Sequence, residues 1–264
     1  MVLPLGDLEK TRIIPLATYT LIALNVVMYL VQLGEGPDFT TALAATPFEI
    51  THRHDIERPI TLPLADDDEP GDGGVPFRAA HREIPHAPAP FPVLLTLLSS
   101  MFLHGSPLHL AGNMLYLWIF GDNVEEVLGT VRYVLVYLAC GVMGTLLQVA
   151  ANPESMVPTL GASGAIAGVM GAYLVWFPHN QVRVLIFRFI TVMPAVLVIG
   201  FWIAIQVWLG FGSAGQVGET GGIAYLAHVG GAATGVFVAF LFRDRARALE
   251  AADDYRDGWF VGPP

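Results

Sequence analysis

Charge is what this chain has least of. Asp, Glu, Lys and Arg make up 14% of its 264 residues, against about 25% in soluble domains. That deficit points to a membrane rather than to an aqueous surface. Basic residues are scarcer than acidic ones, 13 against 23, and the net charge is −10, which argues against a nucleic-acid partner. Cysteine occurs once, at Cys140, so no intrachain disulfide can form. No His-Glu-x-x-His occurs, and His52, His54, His81 and His86 in the first loop lack zinc-like spacing.

What the chain has in quantity is long uncharged apolar runs. Ile13–Leu33 is the first; it is too long for the core of a signal peptide, Met1–Lys10 is not a basic n-region and no clear small-residue cleavage site follows, so it reads as a retained helix. Val131–Ala151, Leu160–Phe177, Thr191–Leu209 and Ile223–Phe242 follow. From Phe91 to Phe120 a longer apolar region is broken by His104, Gly105, Pro107 and His109. Its second half, Leu108–Gly121, reads as a span and its first half as an interfacial lead-in. The expectation is an all-α polytopic bundle of six transmembrane helices. It has a membrane domain over 13–242, a long loop 34–90, and short end segments 1–12 and 243–264.

Lysine and arginine set the orientation. Lys10 and Arg12 precede helix 1, Arg132 follows the second loop, Arg183 and Arg188 lie between helices 4 and 5, and Arg243, Arg245 and Arg247 follow helix 6. The loops 152–159 and 210–222 hold none. Both termini are therefore expected in the cytoplasm and the chain in the plasma (cell inner) membrane. The loop 34–90 carries four arginines, but loops of that length obey the rule poorly. Within it the acidic "ADDDEPGDGG" (65–74) has the composition of a disordered segment.

Polar side chains then stand out against the apolar background. In this topology helices 2, 4 and 6 all start on the outer side. Helix 2 opens with His109 and Asn113, four residues apart and so on one face. Helix 4 opens with Ser163 in "LGASGAIAG", and helix 6 carries His228 in "AHVGG". All four lie within roughly 10 Å of the outer helix ends at 1.5 Å per residue. Intramembrane polar groups are costly and face a cavity or a partner. Rows of small residues say which helices touch. Helix 6 has Ala227, Gly231, Gly235 and Ala239; helix 4 has Gly161, Gly164 or Ala165, Gly168, and Gly171 or Ala172. Their contact would bring the His228 imidazole to the Ser163 hydroxyl, an activated nucleophile. Neither helix holds Asp or Glu, so a dyad is expected rather than a triad. His109, Asn113 and the Ser163 backbone N–H are the expected oxyanion donors.

These residues resemble a known family. "HLAGN", "GASGAIAG" and "AHVGG", in this order on helices 2, 4 and 6, look like the rhomboid intramembrane serine proteases, and 99–126 is similar to bacterial members. The resemblance covers about 13–33 and 91–242. It implies Ser163 as nucleophile, His228 as general base, and His109, Asn113 and the Ser163 amide as oxyanion donors. It further implies membrane-protein substrates cleaved near the ends of their transmembrane segments in the lipid bilayer, with no metal or cofactor. Two features depart from the family. Many members have a Trp–Arg pair in the first loop, where 34–90 holds no tryptophan. Some have an aromatic residue four positions after the serine, packed on the catalytic histidine; here it is Ala167. The competing readings are a catalytically silent relative that binds membrane helices, a small transporter, and a metal site in the first loop. Both dyad residues are present, no inverted repeat or paired intramembrane charge is seen, and the loop histidines are poorly spaced. Cys140 and His104 read as packing or interfacial residues.

Overall fold

The computed structural model describes residues 2–9, 11–63, 81–213 and 224–249; the acidic stretch 65–74 lies outside them. It is a helical bundle. The chain runs through α1 (Leu16–Glu35), two short helices α2 (Pro37–Leu43) and α3 (Pro47–His52), and a helical lead-in that includes α4 (Thr96–Ser99). Then come α5 (Pro107–Leu128), α6 (Thr130–Ala151), α7 (Ser163–Trp176), α8 (Ala195–Ser213) and α9 (Tyr225–Leu241). The six long helices α1 and α5 to α9 occupy the six places expected from the apolar runs. Among the described residues α1, α6 and α8 are each long and apolar enough to cross a membrane alone. α5, with 22 residues but less apolar, and α9, with 17, qualify only together with the bent segments beside them, Val93–Phe102 at 79° and Arg243–Leu249 at 68°. α7 has 14 residues, about 21 Å at 1.5 Å per residue, shorter than the roughly 30 Å of a hydrocarbon core.

Helix 5 begins later than its apolar run suggested. Thr191–Pro194 is not helix but the end of a strand, and α8 starts at Ala195. The run 181–194 folds into the hairpin β4 (Gln181–Ile186) and β5 (Phe189–Pro194), with β1 (Val2–Asp7) pairing antiparallel to β4. Short apolar runs do not separate strand from helix by hydropathy. Here pairing decides it: β5 lies antiparallel along β4, where Val182 and Val184 are buried and Arg183 between them is exposed. Helix 2 is longer than its apolar part, running on through Asp122, Asn123, Glu125 and Glu126. The fully buried Glu125 carboxylate explains why charge is tolerated there. It accepts from the backbone N–H groups of Ala17 and Thr18 at the start of α1 (3.0 and 2.9 Å) and from the hydroxyls of Thr18 and Thr130 (2.9 and 3.0 Å). Negative charge at a helix N-terminus is favourable.

α7 is the centre of the bundle. Every residue from Gly164 to Tyr173 is buried, and a helix apolar on all sides belongs in an interior. Its tightest neighbour is α9. A Cβ built on Gly231 would lie 1.9 Å from the carbonyl oxygen of Gly164, and one on Gly235 would lie 1.8 Å from that of Gly168. The backbones themselves are in contact, and no side chain fits between them. Trp176 closes the far end, its indole N–H donating to the Ala239 carbonyl at 2.9 Å. On the outside of the bundle large apolar side chains are exposed, among them Leu24, Leu30, Phe201, Trp208, Phe237 and Phe240. A soluble monomer does not show so much exposed apolar surface; a bilayer covers it.

The sheet is tied to the same core. The Tyr173 hydroxyl of α7 and the Asn123 amide of α5 both donate to the carboxylate of Asp7, the latter at 3.0 Å. Burial there raises the Asp7 pKa above the usual carboxylate range, and the hydrogen bonds oppose only part of that shift.

The first loop is fastened to the segment that leads into α7. Ala45 and Thr159 exchange backbone hydrogen bonds (2.9 and 2.8 Å), and Phe48 N–H donates to Ser155 at 3.0 Å. The buried His86 ring donates to the Met156 carbonyl at 2.9 Å. Backbone pairing therefore holds this loop, where the expected Trp–Arg pair is missing. The strands β2 (Ile60–Pro63) and β3 (His81–Ile84) complete it.

Candidate active site

Ser163 is the first residue of α7. The backbone N–H groups of a first helical turn have no intrahelical partner and the helix dipole is positive there. A glycine puts the serine in place. Gly161 has φ +129°, a conformation that L side chains rarely adopt. A Cβ at Gly161 would meet the His109 ring at 2.9 Å and would lie 3.6 Å from the Ser163 hydroxyl. Gly161 therefore keeps open the space where His109 and Ser163 face each other. Its own N–H donates to the Ser100 carbonyl at 2.9 Å.

His228 comes from the opposite wall, in the first turn of α9. Its Nε2 lies 2.7 Å from Ser163 Oγ. The backbone contact of α7 and α9 is what permits this distance, because the two helices carry serine and histidine on facing small-residue rows. The ring is 8% exposed. Its other nitrogen, Nδ1, is 2.7 Å from Gln206 Oε1 on α8. One turn earlier on α8, Trp202 lies against the imidazole at a centroid distance of 5.5 Å and a tilt of 36°. The aromatic contact that some rhomboids take from the serine's own helix is thus supplied by a different helix here, while Ala167 is fully buried.

The helix 2 residues are placed by the N-terminus of α5. The Ser106 hydroxyl caps it, accepting from the His109 N–H at 3.1 Å. His109 Nδ1 faces the Gly105 N–H at 3.5 Å, and the Cε1–Nε2 edge of its ring lies beside Gly161. Asn113 is buried, and its Nδ2 donates to His104 Nε2 at 2.9 Å. His104 in turn meets the His109 ring edge-on at 5.1 Å. His104 is itself nearly fully buried, its backbone locked to the Gln32 side chain of α1 in both directions (3.0 and 3.3 Å).

The structure thus brings Ser163, His228 and His109 together and ties Asn113 to them through His104. Two participants went unnoticed in the sequence. Gln206 is one amide inside "FWIAIQVWLG", and its rarity in an apolar span was the available signal. Trp202, four residues before it and so on the same face, carried none. Cys140 is buried and its side chain abuts the space beside Gly168, away from the dyad. Among the described residues no three His, Cys, Asp or Glu side chains gather as metal ligands. In the first loop His52 faces Glu154 at 3.7 Å and His86 faces Glu49 at 3.9 Å.

A serine bonded to a histidine at the buried start of an apolar helix defines a narrow class of membrane-embedded bundles. The comparison with known proteins gives that class its name. The family model of the Rhomboid domain matches residues 93–245, more than half of the chain, and the chain belongs to the rhomboid family. It is similar to Rhomboid protein 1, mitochondrial, of Saccharomyces cerevisiae, 30% identical over 60% of this chain and 46% of that protein. It is 36% identical to the Rhomboid protease GluP of Bacillus subtilis over 54% of this chain and 25% of that one. The bovine Presenilin-associated rhomboid-like protein, mitochondrial, is 29% identical over 53% and 36%. The chain spans less than half the length of each of these relatives.

Proposed function

We propose that this chain is an intramembrane serine endopeptidase that cleaves transmembrane segments of membrane proteins through a Ser163–His228 dyad. The observation that carries the reading is the 2.7 Å contact between His228 Nε2 and Ser163 Oγ inside an apolar helical bundle. Neutral His228 takes the hydroxyl proton as Oγ attacks the scissile carbonyl carbon. The resulting oxyanion is met by the His109 Nε2–H, the free N–H of the Asn113 amide and the Ser163 backbone N–H. Protonated His228 then passes its proton to the leaving amine, and the C–N bond breaks. Water, deprotonated by the same imidazole, hydrolyses the acyl-enzyme and returns Ser163 to its resting state. These steps use only groups of the protein and water.

The apolar bundle around the site supports this substrate class. A helical backbone hides its carbonyls in its own hydrogen bonds, so a substrate helix must unwind locally to meet Ser163. Helix-breaking residues near the cut favour that. The proposed location is the plasma (cell inner) membrane, with both termini cytoplasmic and the site opening to the outer side. Segments 1–12 and 243–264 then flank the membrane domain 13–242 on the cytoplasmic side. Cysteine-labelling from either side of sealed vesicles tests this orientation. The activity is tested by incubating purified protein with a transmembrane substrate. Wild type should cleave, and Ser163→Ala and His228→Ala should not while remaining folded. A folded wild type inert on every helical substrate would favour a silent helix-binding relative.

A further inference from the structure

We infer that Gln206 is the positioning residue of the dyad: its side-chain oxygen holds the ring proton of His228 on Nδ1 and so keeps Nε2 bare for Ser163. This rests on the proposed dyad chemistry. A neutral imidazole has one N–H and one bare nitrogen, and only the form with a bare Nε2 can take the Ser163 proton. Which nitrogen is bare is set by what the other one bonds. The two helices that carry the dyad hold no carboxylate to do this. In the structure Nδ1 is 2.7 Å from Gln206 Oε1, and the Gln206 side chain is itself buried at 8% exposure. An amide oxygen only accepts, so the proton between them belongs to Nδ1. Turned the other way, the amide would donate to Nδ1 and leave the ring proton on Nε2, facing the serine and useless as a base. Trp202, one turn away on the same helix, packs on the ring and limits its rotation. α8 therefore supplies both constraints on the histidine. A neutral amide also orients it without placing a carboxylate in the membrane interior, where ionised groups are expensive.

The test compares full-length wild type with Gln206→Leu, Gln206→Met and Gln206→Glu in detergent, with kcat and KM for a helical substrate separated. 15N-histidine NMR of the same proteins reads the tautomer directly. Removing the residue that orients the histidine of a soluble triad lowers kcat by about 10⁴. The amide stabilises no imidazolium charge to the same degree, so Gln206→Leu and Gln206→Met should lower kcat by about 10- to 100-fold with KM within about twofold. Gln206→Glu, which retains an accepting oxygen, should recover most of that loss. In wild type the Nδ1 resonance of His228 should be of the protonated type and the Nε2 resonance of the bare type, and this pattern should be lost in Gln206→Leu. An unchanged kcat in a folded Leu or Met variant, or a wild-type ring protonated on Nε2, would overturn the inference. Should wild type itself fail to cleave, the proposed function falls, and the NMR pattern still decides the role of Gln206.

Discussion

α7 and α8 both reach His228, and they do so by opposite means. α7 is buried on every side and meets α9 backbone to backbone, with glycine carbonyls where side chains would otherwise be. α8 presents Phe201, Trp208 and Phe211 outward, largely exposed, and touches the histidine with two long side chains, Trp202 and Gln206. The first arrangement fixes where the serine and histidine are. The second fixes how the histidine is turned and protonated. Position is thus held by steric exclusion, which tolerates no change, and orientation by side chains that can be replaced one at a time.

The largest effect should come from the rigid side. Gly235→Val places a branched side chain where even a Cβ would lie 1.8 Å from the Gly168 carbonyl. The helices must separate, and we expect no folded protein, a loss beyond about 4 kcal/mol. By contrast Phe201→Ala, on the exposed side of α8, should change stability by no more than about 0.5 kcal/mol. Thermal unfolding of both variants measures the contrast; equal effects would erase it.

An intermediate effect is expected at Asn113, which holds His104 and in the proposed mechanism also offers a donor to the oxyanion. Asn113→Ala should lower kcat about tenfold with KM little changed, since His109 and the Ser163 amide remain. It also leaves His104 Nε2 unpaired in the interior, which destabilises by about 1–3 kcal/mol. Steady-state cleavage normalised to folded protein separates the two effects. A stability loss with intact kcat would assign Asn113 to holding His104 alone.

The smallest effect lies at the other end of α7, where the carboxylate of Asp7 receives Tyr173 and Asn123. Its folded pKa is raised by burial, so the native state binds the extra proton. Stability therefore falls as pH rises from the unfolded carboxylate value of about 3.9 through the raised one, and stays lower above it. Asp7→Asn removes the ionised form. The thermal midpoint of the variant relative to wild type should rise as the pH climbs from about 4 through the raised Asp7 value, and then level off. A difference that does not change with pH would show that Asp7 is equally content charged.

The contrast between α7 and α8 also explains what the sequence made legible. The small-residue rows of helices 4 and 6 repeat with helical period, so their contact, and with it the meeting of Ser163 and His228, could be read from spacing. His109 and Asn113 shared a face and could be read the same way. Gln206 has no repeat around it, and its partner lies 22 residues away on another helix; only the fold puts the two at one depth. The hairpin 181–194 was misread in part as helix, because Thr191–Pro194 continues the apolar run of α8 and hydropathy does not separate strand from helix over so few residues. β1 escaped notice because its pairing with β4 is a long-range contact. The His104 bond to Asn113 depends on the sharp bend before α5, which the Gly105–Pro107 break marks without specifying its direction.

The central claim is that Ser163 is made nucleophilic by His228, and a serine-reactive fluorophosphonate tests it most directly. Detergent-solubilised wild type, Ser163→Ala and His228→Ala would be labelled side by side and the modified residue mapped by mass spectrometry. The account predicts labelling of wild type at Ser163 alone, none in Ser163→Ala, and a drop toward background in folded His228→Ala. Equal labelling of Ser163→Ala, or of His228→Ala at the wild-type rate, would contradict it.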